Sequence, residues 1–316
     1  MKAIHSYRSD LVAPMLESVG GAGVLKPHIL GHALSAATIS RYYKDFVLIT
    51  DDLGKEMALA CKMPYTDIIS VGKSFPSDPC FWVHSKMYAY QVTKEPFIHF
   101  DNDIFLWEPL PKDKVDVDVV ALHSETFMWY FYEGSLRGLA AAQVPITDLH
   151  LKHWTNRMPI NMSVFGGNNY QVINKYADYV LDWLQQNNGF IGATKEIREG
   201  LSNHITPIEQ LWVSYLIQDV HKVPIKFIVT EGNMKAEDHV PGVELTHLHG
   251  LKQIAAKTHT LHELCAKMNY KLNEINPEVN AAVEQYTGPS QQQMDTAVDT
   301  LVKEAQHGQN QQHQEA

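Results

Sequence analysis

The chain has 316 residues, 45% of them hydrophobic and 20% charged, which is enough to bury one large core or two small ones. Its formal net charge of -10 argues against a protein whose main task is to grip nucleic acid or an anionic membrane surface, but it leaves room for a phosphorylated small substrate if a metal supplies positive charge. Cys61, Cys80 and Cys265 are far apart and odd in number, so no disulfide framework is expected and a reducing, cytoplasmic compartment is. 

The first element predicted is a short strand over Lys2–Ser6. The segment Met1–Tyr7 lacks the apolar run of a signal peptide, and no stretch of about 18 apolar residues exists to cross a membrane. A helix is predicted over Ile29–Tyr43, with Ile29, Leu30, Leu34, Ala37 and Tyr42 turned inward. Asp45–Thr50 reads as a buried strand, Gly54–Lys62 as a short helix and Asp67–Val71 as a strand. Trp82–Val92 is a helix feeding into a strand at Phe97–Phe100. Strand and helix alternate, which predicts an α/β sheet covered on both faces. Val117–Leu122 and Ile160–Phe165 are further strands. Tyr170–Gln186 is the clearest helix, with Val172, Ile173, Tyr176, Val180, Leu181 and Leu184 at three- and four-residue spacing. Thr206-Pro-Ile-Glu209 opens another helix, with Glu209 as the third residue of a capping box. Ile225–Val229 and Glu244–Leu248 are late strands, and Thr260–Lys271 is an amphipathic helix opened by a second Thr-x-x-Glu box. One domain is expected over residues 1–287. From Gly288 the composition turns to Gln, Asn, His and Ala, which predicts a tail over 288–316 that builds no core.

The most informative stretch is Phe97-Ile-His-Phe-Asp-Asn-Asp-Ile-Phe-Leu-Trp-Glu108. Asp101 and Asp103 lie between two apolar runs that read as buried strand. An unpaired buried charge is too costly to persist, so something must meet these carboxylates. An Asp-x-Asp pair offers hard oxygen donors of the kind Mg²⁺ or Mn²⁺ requires; the plainer alternative is two aspartates capping a turn. Three further features accompany it in order. Trp82-Val-His-Ser-Lys86 precedes the acidic strand by one helix. Asn161-Met-Ser-Val-Phe-Gly-Gly167 is a strand ending in a glycine pair. His247-Leu-His-Gly-Leu-Lys252 closes a late strand. Taken singly, the lysine is a solvated charge, the glycines a tight turn and the histidines structural.

Taken together and in this order, the features resemble the GT-A fold of nucleotide-sugar glycosyltransferases, and within it the retaining group similar to glycogenin and galactinol synthase. The layout also resembles an uncharacterised bacterial family of glycosyltransferase-like proteins with a Pro-Phe-Ile-His-Phe-Asp-Asn-Asp core. The likeness spans residues 1–255. The late motif is His247-x-x-Gly250, with Lys252 one residue earlier than in the family pattern. 

The resemblance implies an α/β, GT-A-like (Rossmann-like), mixed and mostly parallel sheet. It implies Mn²⁺ (or Mg²⁺) held by Asp101 and Asp103 with His247, or its rival His249. It implies catalytic roles for Asn161, Lys252 and Glu209. Donor contacts would come from Ser6, Tyr7, Thr50, Asp51, Trp82, Lys86, Asn102, Gly166, Gly167 and Gly250. The donor implied is a nucleotide-diphosphate sugar, most simply a UDP-sugar, and the acceptor a sugar or glycan. Metal and lysine would stabilise the charge growing on the leaving diphosphate, and a nitrogen ligand favours Mn²⁺. A retaining enzyme needs no protein base; an inverting one would use Glu209. The aromatic run Phe127–Tyr132 is either a core strand or an acceptor-side loop whose rings stack on sugar.

Two rival functions fit the same fold class. A sugar-phosphate nucleotidyltransferase would carry a glycine-rich loop with a basic residue directly after the first strand, whereas Gly20-Gly-Ala-Gly23 comes later and has no arginine beside it. A catalytically silent nucleotide-sugar-binding protein would keep the fold and lose turnover.

Overall fold

A computed structural model describes residues 1–9, 25–73, 75, 81–125, 159–186, 206–229, 245–248 and 260–288. In chain order the elements are β1 (Lys2–Tyr7), α1 (Leu25–Ile39), β2 (Phe46–Thr50), α2 (Asp52–Ala60), β3 (Asp67–Ser70), α3 (Val83–Val92), β4 (Phe97–Phe100), β5 (Ile104–Leu106) and α4 (Lys112–Val115). They continue with β6 (Val119–Ser124), β7 (Ile160–Gly167), α5 (Tyr170–Gln186), α6 (Thr206–Val213), β8 (Ile225–Phe227), β9 (Leu245–His247), α7 (Leu261–Ile275) and α8 (Pro277–Gln285). A π-helical stretch, Ser214–Val220, follows α6.

Seven strands form one sheet in the order β3-β2-β1-β4-β7-β6-β8. All neighbours are parallel except where β7 runs antiparallel to β4 and β6. This is the mixed, mostly parallel, GT-A-like layout expected from the sequence. The strands alternate their side chains between two cores. Ala3, Phe46, Leu48, Ile98 and Phe100 face α1, α2, α7 and α8. Ile4, Val47, Ile49, Phe97 and Phe165 face α3, α5 and α6. Both faces are apolar because both are covered.

The chain runs from β1 outward through β2 to β3, then returns to place β4 on the other side of β1. The strand order therefore reverses between β1 and β4. Their carboxyl ends open a crevice there, the usual place for a ligand in an open α/β sheet.

Several boundaries moved. Helix α1 starts at Leu25, ahead of the expected Ile29, because Pro27 is tolerated in a first turn. It ends at Ile39, and Tyr42 and Tyr43 close a turn onto the Ile39 carbonyl. Tyr42 still faces inward, where its hydroxyl donates to the Trp107 carbonyl. Strand β6 lies two residues later than expected. Thr260 precedes α7 without a side-chain capping bond. Helix α8 was not anticipated, although Asn276 caps it through the Val279 amide and Pro277 fills its first turn.

Buried histidines give the fold a pH dependence. His84 is pushed down to about 3 by burial, with the positive charge of Arg8 adding to it. His5 is held well below its usual value by burial and then by His32 and His99. A histidine with a depressed folded pKa contributes stability above its unfolded value of about 6.5, lost as pH falls toward the folded value. Each removes roughly 1.4 kcal/mol for the first pH unit below that point. Urea unfolding at pH 5.5 is therefore expected to give a stability lower than at pH 7.5 by at least about 3 kcal/mol from these two rings. Equal stabilities at the two pH values would mean that the folded protein protonates its buried rings freely.

Candidate functional site

Asp101-Asn102-Asp103 is not part of a strand. It is a turn between β4 and β5, closed by Ile104 N donating to the Asp101 carbonyl at 3.1 Å. The turn sits at the carboxyl end of β4, in the crevice beside β1. Asn102 ties it to β1 by donating to the Ser6 carbonyl at 2.8 Å. From the other side, the Asp101 amide donates to the Ser163 carbonyl of β7 at 2.8 Å.

The third member of the cluster arrives through a separate ladder. Strand β5 leaves the main sheet and pairs antiparallel with β9, setting Ile104 opposite His247. Leu248 N then donates to the Asp103 carbonyl at 3.1 Å. His247 Nε2 lies 3.5 Å from Asp103 Oδ1, and Ser163 Oγ lies 3.3 Å from the same ring nitrogen. Asp101, Asp103 and His247 each offer one ligand atom, all within 4.8 Å of one another. Two carboxylate oxygens and an imidazole nitrogen form a donor set suited to a divalent first-row cation, so this cluster can hold one.

Lys86 lies behind it. Helix α3 carries this lysine into the interior, where Nζ meets Asp101 Oδ1 at 2.7 Å and Glu209 Oε1 at 2.6 Å. Its side chain is 6% exposed and that of Glu209 5%, against 28% for Asp101. The ammonium also lies 5.9 Å from the Trp82 ring centroid. Burial opposes the charge on Lys86, but Asp101 and Glu209 outweigh it and raise the pKa above the usual lysine value. Burial raises the Glu209 pKa, and the adjacent lysine works against that rise. The geometry is that of a lysinium clamped between two carboxylates. Glu209 thus faces the crevice as a buried ion-pair partner and not only as a residue of a helix start.

His99 was not among the expected site residues. Its Nε2 bonds Ser6 Oγ at 3.0 Å, its Nδ1 lies 3.8 Å from Asp101 Oδ1, and burial, then Lys86, holds it well below its usual pKa. The signal was present in sequence: His99 and Asp101 are two apart and so share a sheet face. Ser163 was also missed; two residues after Asn161, it shares that residue's face in the same way.

The other expected residues are placed as follows. Asn161 starts the same end of β7, donates to Glu125 Oε1 at 2.7 Å and accepts from Ser163 Oγ at 2.6 Å. Tyr7 and Thr50 end β1 and β2 side by side. Both oxygens of Asp51 are occupied by backbone amides, of Gly54 at 2.8 Å and Ser9 at 2.7 Å. Thr50 Oγ1 and Asn102 Oδ1 are buried and have no hydrogen-bond partner among the described residues. 

Gly166 and Gly167 are not brought to the site. Because β7 is antiparallel, they pair with Ile98 and Phe97 toward the far end of β4, about 10 and about 13 Å along the strand from Asp101 at roughly 3.3 Å per residue. Their role there is close packing. A Cβ on Gly166 would sit 2.1 Å from the Phe97 carbonyl oxygen, and Gly167 has φ +139. His249, Gly250, Lys252, Cys80 and the run Phe127–Tyr132 lie outside the described residues, as does the tail beyond Gly288.

Fold and site together define a mixed α/β protein, its mostly parallel sheet covered by helices, with an acidic, histidine-bearing cluster at its switch point. The chain belongs to a family described as "Family of unknown function (DUF6734)", which residues 1–286 match. No curated protein matches it. Among solved structures it is similar to mouse xyloside xylosyltransferase 1 in its apo form, at 11% identity and a TM-score of 0.33, over 78% of this chain and 96% of that one. Among the described residues no helix is long and apolar enough to cross a membrane.

Proposed function

We propose that the protein is a metal-dependent glycosyltransferase that moves a sugar from a nucleotide-diphosphate sugar to a sugar or glycan acceptor with retention. The observation that carries this reading is the Asp101–Asp103–His247 donor set at the switch point between β1 and β4. In this reading those three residues hold Mn²⁺ (or Mg²⁺). When bound, the ion supplies positive charge against the departing diphosphate.

The chain's own residues divide the remaining work. Lys86 keeps its proton and offers a fixed cation to the donor phosphates, in a site whose preorganised charge costs no reorganisation when reaction occurs. Glu209 holds that ammonium in place. With its oxygen 2.6 Å from Lys86, it is a poor free base, which favours retention over inversion. Thr50 Oγ1 and Asn102 Oδ1, without partners among the described residues, would accept from hydroxyl or amide groups of a nucleoside beside Ser6 and Tyr7. Trp82 lines the approach to Lys86. In the same reading His249, Gly250 and Lys252 belong to the late motif that the resemblance implies, with Lys252 the catalytic cation of that motif.

The test is a thermal-shift panel of UDP-, GDP- and CMP-sugars with and without Mn²⁺, followed by NMR of the product anomer. Stabilisation by one nucleotide sugar that depends on Mn²⁺ is expected. No stabilisation by any donor, with or without metal, would rule the reading out.

In the same reading residues 1–287 are one catalytic domain and 288–316 an appended tail. Deleting the chain after Gly288 keeps Tyr286, which packs against the α1 core. The deletion is expected to leave the melting temperature within a degree or so. The Gln-rich segment has too little apolar surface to offset roughly 1–2 kcal/mol of backbone entropy per ordered residue. A large fall would show that the tail packs.

A further inference from the structure

On the face of the sheet opposite Lys86, a line of buried polar groups ends on the Asp101–Ile104 turn. Ser35 projects from α1 and is fully buried. Its Oγ lies 2.6 Å from the Ile104 carbonyl oxygen, and 3.5 Å from that of Asp101. The same Oγ is 3.2 Å from His5 Nε2. His5 Nδ1 is 2.7 Å from the Tyr65 hydroxyl, and the Tyr65 hydroxyl is 2.6 Å from His32 Nε2. The His5 ring is walled by Phe46, 4.8 Å away between centroids and edge-on.

The directions of these bonds follow from chemistry. The Ile104 carbonyl can only accept, so Ser35 donates to it. Ser35 has one proton, so towards His5 it must accept, and His5 carries its proton on Nε2. His5 Nδ1 is then an acceptor, so Tyr65 donates to it. Tyr65 in turn accepts from His32, whose proton is on Nε2. With His5 held neutral by burial, every bond points toward the turn. Such a chain has one self-consistent arrangement, and each bond polarises the next.

We propose that Ser35, His5 and Tyr65 are positioning residues that fix the Asp101–Ile104 turn, and so the spacing of the two aspartates, from behind the site. The proposal rests on the reading of Asp101 and Asp103 as metal ligands. The mechanism is geometric. Ile104 is the residue whose amide closes the turn onto Asp101 and whose neighbours in β5 pair with β9. Holding its carbonyl fixes both the turn and the strand that delivers His247. Outer groups that orient ligands in this way typically alter metal affinity 10–100-fold when removed.

Two measurements test it. The first is long-range ¹⁵N–¹H NMR of the metal-free parent protein, which reads the tautomers directly and needs no variant. His5 and His32 are both expected with the proton on Nε2. A proton on His5 Nδ1 would force Ser35 to donate to His5 and release Ile104, which overturns the proposal. The second is Mn²⁺ titration followed by EPR of the free ion, for the parent, Ser35→Ala, Tyr65→Phe and Asp103→Ala. Each variant is measured at a temperature where circular dichroism shows it folded.

Ser35→Ala is expected to bind Mn²⁺ about 10-fold more weakly or worse, and Tyr65→Phe more weakly in the same sense but by less. Parent-like affinity in Ser35→Ala, with affinity lost in Asp103→Ala, would refute the positioning role while leaving the metal site standing. Unchanged affinity in Asp103→Ala would instead refute the metal assignment on which it rests. If Ser35→Ala does not fold, the tautomers of the parent decide the question.

Discussion

Replacing Asp103 with alanine is expected to remove Mn²⁺-dependent donor binding and to lower turnover by on the order of 10²–10³, the usual loss when one electrostatic stabiliser of a transition state is deleted. Asp103 sits where three constraints meet. Its carboxylate is 3.5 Å from His247 Nε2, its carbonyl accepts from Leu248, and it is one of three residues grouped for a cation. The side chain is 20% exposed, and its buried partner His247 keeps Ser163 Oγ at 3.3 Å, so the fold should survive its removal. That separates this variant from a merely destabilising one. Isothermal titration with Mn²⁺ and UDP, alongside thermal unfolding, is the check. Parent-like binding of both would sink the metal assignment.

The second large effect is expected at Lys86. Lys86→Met leaves Glu209 buried and unpaired, with Asp101 repelling it. Breaking a buried pair by removing one partner typically costs about 3–5 kcal/mol. At roughly 2–4 °C per kcal/mol for a domain of this size, the melting temperature should fall by on the order of 10 °C. Glu209→Gln should cost less, because Lys86 keeps Asp101 at 2.7 Å. The double variant Lys86→Met with Glu209→Gln should recover part of the loss, since no buried charge is then left without a partner. Scanning calorimetry on the three variants measures this. If Lys86→Met melts like the parent, the ammonium is not buried between the carboxylates as described.

The acidic motif illustrates what could be read from sequence and what could not. Two carboxylates between apolar runs required compensation, and that requirement alone singled out Asp101 and Asp103. The lysine one helix earlier was less visible: taken singly it reads as a solvated charge, and only the order of the motifs and their resemblance to glycosyltransferases drew it in. By contrast, the partnership of Lys86 with Glu209 joins residues separated by 123 positions. Glu209 is a sound helix-start residue by local rules, so nothing nearby announced the ion pair.

The glycine pair went the other way. Gly166 and Gly167 looked like a ligand-facing turn because parallel sheets place ligands at the carboxyl ends of strands. β7 is antiparallel, so its carboxyl end is at the wrong edge and its start, with Asn161 and Ser163, is at the right one. Strand direction is set by the whole connection, which a local pattern does not encode. The relay from Tyr65 to Ser35 was invisible for a similar reason. Its members lie on β1, α1 and the β2–β3 region, and only their packing on one sheet face makes them a chain.

By itself, then, the sequence determined what depends on short-range chemistry: the alternation that makes an α/β sheet, the amphipathic helix α5, and the acidic pair that needs a counter-charge. Periodicity and desolvation act within a few residues, so they are written locally. Only the tertiary structure decided which partner meets each charge, that β5 leaves the main sheet to fetch His247, and which end of β7 faces the crevice. Those outcomes are choices among long-range pairings, whose energies depend on the complete set of neighbours rather than on any one segment.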